Sequence, residues 1–455
     1  MNKKLLCLPI SLFLCAALFS LTVDEAVDYA LKNSKTLQSA AIDLEIKTRA
    51  KDTAWNSLVP SVQVTGTLAR SNKAQNPSAA ATQMLNQIRA MLSLPPLPVD
   101  TSVSEADHWK AVGNIGVSFM FNAALVQEIR AARADFEAGL ITWEQTRADT
   151  ERSIRKLFYG LLLQQESVAL QQKMLANAQI RSNQSETGYK NGLVSELAFL
   201  QARVAYENQK PAVLKAEQEF KSQLSMFAFL LGLPLNSDIK LEGSIEPVFA
   251  DFDAEKLIAD YVSRRADVLL LQKNIELMRI RLSAMNLQIF TPSLSLSYGF
   301  QPVVADITKN WFDDKNYADG GSFSASLAWN LTNMLPFSST RQQAKTLQAN
   351  LQKTEIQYAT LLQKGEMEIR TLTDKLKQSR TVIEAGKSGS DLAQRSYDMT
   401  REAYRNGTAE LLSLRDAEAQ LIQARLSLAS EKYNYLSNLL DLEYALQTKL
   451  TRTGE

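Results

Sequence analysis

Four short segments of the chain alternate apolar with small polar residues, the period of a strand whose two faces meet different surroundings. In the first, Val62, Val64 and Leu68 share one face, and Ser61, Gln63, Thr65 and Thr67 the other. The second sets Ile115, Val117, Phe119 and Phe121 against Gly116 and Ser118. In the third, Leu294, Leu296, Tyr298 and Phe300 oppose Ser293, Ser295, Ser297 and Gly299. The fourth places Phe323, Leu327, Trp329 and Leu331 opposite Ser322, Ser324, Ser326 and Asn330. The pattern predicts strands over about 58–69, 113–122, 291–301 and 321–331, each close to the roughly 9–11 residues a tilted strand needs to cross a bilayer.

A soluble sheet with one buried face gives the same alternation. Two features favour lipid on the apolar side. The polar faces are mostly small, uncharged Ser, Thr and Gly, which suit a water-filled bore, and Tyr298, Phe300, Phe323 and Trp329 supply aromatics for an interfacial girdle. Unpaired strand edges cannot face hydrocarbon, because each bare backbone group there costs several kcal/mol. Membrane barrels need at least about eight strands, so four cannot close alone. Several chains must then share one barrel.

The rest of the chain has helical spacing, much of it in sevens. Ile154, Leu161, Val168 and Leu175 form one such series, and Leu362, Ile369, Leu376 and Ile383 another. A third runs through Leu414, Leu421, Leu428, Tyr435 and Leu442. Seven-residue spacing keeps a narrow apolar seam against a partner, the mark of coiled-coil helices. A helix from about Ala124 to about Thr187 would be about 95 Å long at 1.5 Å per residue. Pro211 is expected to kink or interrupt the helix that follows.

These elements occur twice. Asp28-Tyr29 returns as Asp260-Tyr261 and Pro60-Ser61-Val62 as Pro292-Ser293-Leu294, while Tyr189-Lys190-Asn191-Gly192 returns as Tyr404-Arg405-Asn406-Gly407. The expected plan is a first repeat over 21–232, an irregular connector over 233–252 and a second repeat over 253–455. The loop after each first strand is longer in the first repeat (70–112) than in the second (302–320). Asn191-Gly192 and Asn406-Gly407 break the helical pattern in mid-hairpin, giving tips near 188–195 and 404–410. The same dipeptides also serve as ordinary helix C-caps.

Composition narrows the class. With 45% hydrophobic and 22% charged residues the chain is not disordered. A net charge of +1 lacks the basic excess of a nucleic-acid binder. Lys3 and Lys4 precede an apolar run from Leu5 to Phe19, and Ser20 offers a small residue before Leu21: a secretory leader over 1–20. An uncleaved anchor is the other reading of that run. Both cysteines, Cys7 and Cys15, lie inside it, and Leu14 before Cys15 argues against a lipid anchor. No later stretch suits a transmembrane helix. His108, the sole histidine, has no metal-site company, and no phosphate loop or nucleophile elbow is present. The chain is expected to be a non-enzyme without cofactor or metal.

The opening Leu21-Thr22-Val23-Asp24-Glu25-Ala26 with Ala30-Leu31 and Asn33, the tips Asn191-Gly192-Leu193 and Asn406-Gly407-Thr408, and the late Tyr433-Asn434-Tyr435-Leu436 occur in order. Together they resemble the TolC-like outer-membrane factors, over essentially the whole mature chain. The resemblance implies a mainly α fold with a transmembrane β-barrel. Three identical chains would close twelve strands, four from each, over an α-helical tunnel in the periplasm. It further implies an exit duct in the cell outer membrane, serving a tripartite efflux pump or a type I secretion system. Its partners would be its own copies, outer-membrane lipid, a periplasmic adaptor and an inner-membrane pump of unspecified type.

By the same resemblance Asn191, Gly192, Leu193, Asn406, Gly407 and Thr408 would dock the adaptor, though turn geometry alone also accounts for the Asn-Gly pairs. Tyr404 matches a gate tyrosine. Ala409 stands where the family's best-studied pattern has arginine, and Ser413 replaces one of two aspartates a helical turn apart, Asp416 being the other. The constriction is therefore expected to be less acidic, with Glu410 as a substitute charge. A symmetric ring of Asp416 carboxylates would favour cations. A solvated coiled-coil carboxylate is the plainer reading of that residue. A periplasmic coiled-coil scaffold or adaptor-like structural protein is the alternative for the chain as a whole.

Overall fold

The computed structural model describes residues 19–450, apart from 74–76, 104, 236, 305–309, 311–312 and 314–316. Lys3, Lys4, Cys7 and Cys15 of the expected leader lie outside the described residues. The first half of the chain runs β1 (Phe19–Leu21), α1 (Val23–Asn33), α2 (Lys35–Thr53), β2 (Ser61–Arg70), α3 (Pro77–Met91), β3 (Trp109–Phe121), α4 (Ala124–Lys190) and α5 (Glu196–Leu230). Then follow β4 (Ile239–Leu241), α6 (Ala254–Tyr261), α7 (Ala266–Phe290), β5 (Ser293–Phe300), β6 (Pro302–Val304), β7 (Tyr317–Asp319), β8 (Ser322–Ala328), α8 (Ser339–Arg405) and α9 (Leu411–Leu446). The fold is mainly helical. α4 and α8 have 67 residues each, and α5 and α9 have 35 and 36.

The chain divides into two compact units. One, helical, comprises residues up to Lys47, Glu137–Asn274 and Thr354 onward. It is organised by the seven-residue seams: Ile154, Leu161, Val168, Ile369, Leu376, Ile383, Leu414, Leu421, Tyr435 and Leu442 are all buried. Each such apolar side chain contributes about 1.5–3 kcal/mol when taken from water. One cluster joins Leu21, Ala26 and Ala30 to Phe158, Leu161, Phe227, Leu231, Ile239 and Leu436. A second joins Ile369, Leu376 and Ile383 to Tyr435, Leu439 and Leu442.

Local chemistry explains where these helices begin. The Thr22 N–H and hydroxyl both donate to the Glu25 carboxylate at 2.8 Å, and the Glu25 N–H returns a 3.4 Å bond to the Thr22 hydroxyl. This reciprocal cap satisfies the first free N–H groups of α1. It also holds the Glu25 carboxyl below its ordinary range, the main-chain bond from Thr22 being the larger cause.

One expectation for this unit needs correction. The connector over 233–252 is not wholly irregular, because β4 pairs in parallel with β1, Leu21 opposite Leu241. Its three residues, buried Ile239 and Leu241 around exposed Lys240, are too few for alternation to stand out. At Pro211, where a kink or an interruption is expected, α5 is not interrupted and runs on through the proline. Burial of Ala202, Val213, Phe227 and Ala228 on either side offsets the one hydrogen bond that proline removes.

The other unit, Thr48–Phe136 with Ile275–Lys353, contains the alternating segments. β2 pairs antiparallel with β3, β3 with β5, and β5 with β8. β6 extends the pairing of β5 along β3 and is paired in turn with β7. The registers of β5 with β8 and of β6 with β7 are continuous, so the second hairpin runs from Ser293 to Val304 and back from Tyr317 to Ala328. At the break the Asp319 carboxylate accepts from the Gln301 and Gly321 N–H groups at 3.1 and 2.8 Å. Gly321 is a necessity there, since a Cβ would run into the Gly299 carbonyl oxygen.

The strands therefore differ from those expected. The fourth ends at Ala328 rather than 331: Asn330 caps a 3-10 turn, Leu331–Met334, by accepting from the Thr332 N–H at 3.1 Å. The supposed loop over 302–320 carries β6 and β7, and the one over 70–112 carries α3.

Candidate functional site

Register brings the sheet's alternating residues into two contrasting faces. On one, Val62 lies beside Val117, Val117 beside Tyr298, and Tyr298 beside Phe323. On the other, Ser61, Ser118, Ser297 and Ser324 form one row with a serine from each of β2, β3, β5 and β8. Hydroxyls of Ser61 and Ser118 lie 2.6 Å apart, those of Ser297 and Ser324 2.7 Å apart. The apolar face is bare: Val64 and Leu327 are each 71% exposed and Phe323 67%. Among the described residues the sheet does not close on itself, and β2 and β8 are unpaired along their outer edges.

In the helical unit the two hairpin tips have the same construction. The α4 helix ends with Gly192 at φ +71°, and α8 with Gly407 at φ +72°. Only glycine adopts that conformation without a side-chain penalty. Leu193 N–H reaches back to the Gly188 carbonyl at 2.8 Å and Gly192 N–H to Tyr189 at 2.9 Å. Thr408 and Gly407 repeat both bonds on Ala403 and Tyr404, at 2.9 and 3.1 Å. This is the paired main-chain closure of a Schellman turn, so the Asn-Gly pairs do terminate helices. Asn191, Gly192, Asn406, Gly407 and Thr408 are exposed, and Leu193 is 81% exposed. The Tyr189 and Phe199 rings stack behind the first tip at 5.7 Å.

Behind the second tip, Tyr404 is half-buried against a cluster of Tyr397, Leu414, Ala417 and Leu421. Glu410 is the N-cap residue of α9 and makes no side-chain capping bond. Ser413 and Asp416 lie three residues apart on α9, both exposed, while Leu414 and Ala417 face inward. Tyr404 thus belongs to the cluster, and Glu410, Ser413 and Asp416 are presented outward from it.

One feature beside these residues was not anticipated. Glu418 is only 5% exposed. Its carboxylate accepts from Asn177 at 2.8 Å and from the Arg181 guanidinium at 2.8 Å, tying α9 to α4. The sequence holds a signal for it: Glu418 falls between Leu414 and Leu421, on the apolar seam, where a charge demands a partner.

Among the described residues no group of acidic, histidine or cysteine side chains could hold a metal, and no helix is long and apolar enough to cross a membrane. A two-faced sheet and long helical hairpins closed by matched turns describe a component of a channel. Residues 26–233 and 274–447 match the outer membrane efflux protein family, and the chain belongs to that family, one of channels and not of enzymes.

Solved structures agree on the fold. The Campylobacter jejuni CmeC outer membrane channel superposes with a TM-score of 0.74 at 16% identity, over 95% of this chain and 87% of that one. The outer membrane protein VceC of Vibrio cholerae gives 0.72 at 17% identity, over 94% and 97%. The open state of the Neisseria gonorrhoeae MtrE outer membrane channel gives 0.71 at 15%, over 95% and 90%. No curated protein sequence is significantly similar to this chain.

Proposed function

We propose that three copies of this chain close a twelve-strand barrel in the outer membrane above an α-helical tunnel in the periplasm. The assembly is the exit duct of a tripartite efflux pump or a type I secretion system. Each chain contributes two repeats, 21–232 and 253–455, behind a cleaved leader over 1–20. Family membership displaces the scaffold alternative.

The observation that carries this reading is the bare apolar face in register across four strands, with both outer edges unpaired. Lipid accommodates such a face only if the edges are paired with further strands, and sibling chains supply them. In detergent the purified protein is expected to have a mass near three chains by light scattering; a monodisperse monomer would refute the assembly.

At the periplasmic end, Asn191, Gly192, Leu193, Asn406, Gly407 and Thr408 dock an adaptor, which links the duct to an inner-membrane pump. The exposure of Leu193 supports a partly apolar contact there. The gate comprises Tyr404, Glu410, Ser413 and Asp416. In a symmetric trimer Asp416 forms a ring of carboxylates, which favours cations. Asp416→Ala is expected to lower cation selectivity in a planar bilayer, and unchanged reversal potentials would remove the residue from the pore.

A further inference from the structure

The connection between β2 and β3 contains α3, whose apolar side faces outward. Met84, Leu85, Ile88, Met91 and Leu92 recur at the spacing of one helical face, and they are between 47% and 86% exposed. Two polar residues of the helix, Asn86 and Arg89, are held by the segment that follows it. Asn86 exchanges two hydrogen bonds with the Leu97 main chain, at 2.9 and 2.7 Å, and the Arg89 Nε–H donates to the Pro95 carbonyl at 2.8 Å. No charged side chain interrupts the exposed stripe.

The excursion is fastened on the apolar side of the sheet. Arg70 and Trp109 are paired where β2 ends and β3 begins, and alternation puts them on the face of Leu68 and Ile115. Glu105, at the end of the excursion, accepts from Arg70 at 3.0 and 3.2 Å and from the Trp109 indole at 3.4 Å. The Ser71 N–H donates to the His108 carbonyl at 2.7 Å and completes the closure. An Arg–Trp–Glu group at the end of an apolar band suits the headgroup level of a membrane.

We infer that α3 lies on the outer leaflet, with Met84, Leu85, Ile88, Met91 and Leu92 seated at the boundary between headgroups and acyl chains. The helix braces the β2–β3 hairpin against the lipid surface. This rests on the reading of the sheet as membrane-spanning. Another copy of α3 is the competing occupant. Fastening on the lipid side rather than the serine-lined side favours lipid.

The test uses the full chain carrying Cys7→Ser and Cys15→Ser, with one of Ile88→Cys, Val64→Cys or Ser324→Cys labelled with bimane. Each is reconstituted in phosphatidylethanolamine–phosphatidylglycerol vesicles that contain lipid with a nitroxide high on the acyl chain. A helix in the interfacial plane should lose fluorescence about twofold at Ile88, with comparable loss at Val64 and little at Ser324. Quenching at Val64 but not at Ile88 would overturn the placement of α3 and leave the barrel standing. So would efficient cross-linking of Ile88→Cys between copies. No quenching at either position would overturn both.

Discussion

Replacing Arg181 with methionine is expected to destabilise the helical unit by about 3–5 kcal/mol, because it leaves a buried carboxylate without its cation. Glu418 is nearly closed off from water, at 5% exposure, and Asn177 alone, at 2.8 Å, does not neutralise it. Methionine keeps most of the volume of the arginine stem, so lost packing contributes little. Pairing Arg181→Met with Glu418→Leu removes both charges and should recover most of the loss, since apolar replacements of buried ion pairs are often neutral or better. Guanidinium unfolding at fixed protein and detergent concentration reads the difference, because association shifts apparent stability. A single variant indistinguishable from the parent would show that the pair is solvated in the assembled protein.

Phe158→Ala should cost a similar amount, about 3–5 kcal/mol, by a different route: lost transfer energy and the cavity left behind. The ring is 1% exposed, at the centre of the cluster that joins α1, α4, α5, β4 and α9. It meets Tyr159 edge-on at 6.2 Å and Phe227 at 6.2 Å. Hydrogen exchange should quicken in α1 and β4, which are held mainly through this cluster. Protection unchanged in both elements would mean that neighbours collapse into the space. Phe158→Leu, which restores part of the volume, is expected to lie between the two.

Both predictions concern contacts that sequence reading reached unequally. The strand faces were legible because a period of two is visible within single segments, and register then aligned Ser61, Ser118, Ser297 and Ser324 without exception. The seams were legible for the same reason at a period of seven, and all their members are buried except Leu175, Leu362 and Leu428, which are partly so. It was the family resemblance, and no periodicity, that set Ser413 and Asp416 a helical turn apart, and both are exposed on α9. What escaped was structure without a period, or with too short a one. β4, β6 and β7 have three residues each, fewer than alternation needs. The α3 helix does have an apolar stripe, but it lies within 70–112, a span taken whole as the loop after the first strand. The Arg181–Glu418 bond spans 237 positions, and no local pattern reports which helix lies opposite which.

The tips have a further consequence. Each turn is closed by main-chain hydrogen bonds around a single glycine, with only the Ser195 cap on the Ala198 N–H at the first tip and the Thr408 hydroxyl on the Ala403 carbonyl at the second added from side chains, and Glu410 makes no capping bond with its side chain. The path of the backbone is therefore indifferent to most of what is displayed around it. Exchanges at Leu193, Ala409, Glu410 or Ser413 can rewrite the chemical surface offered to a visitor while the rods behind stay where they are. Such an end can be retuned one side chain at a time, with no intermediate that fails to fold.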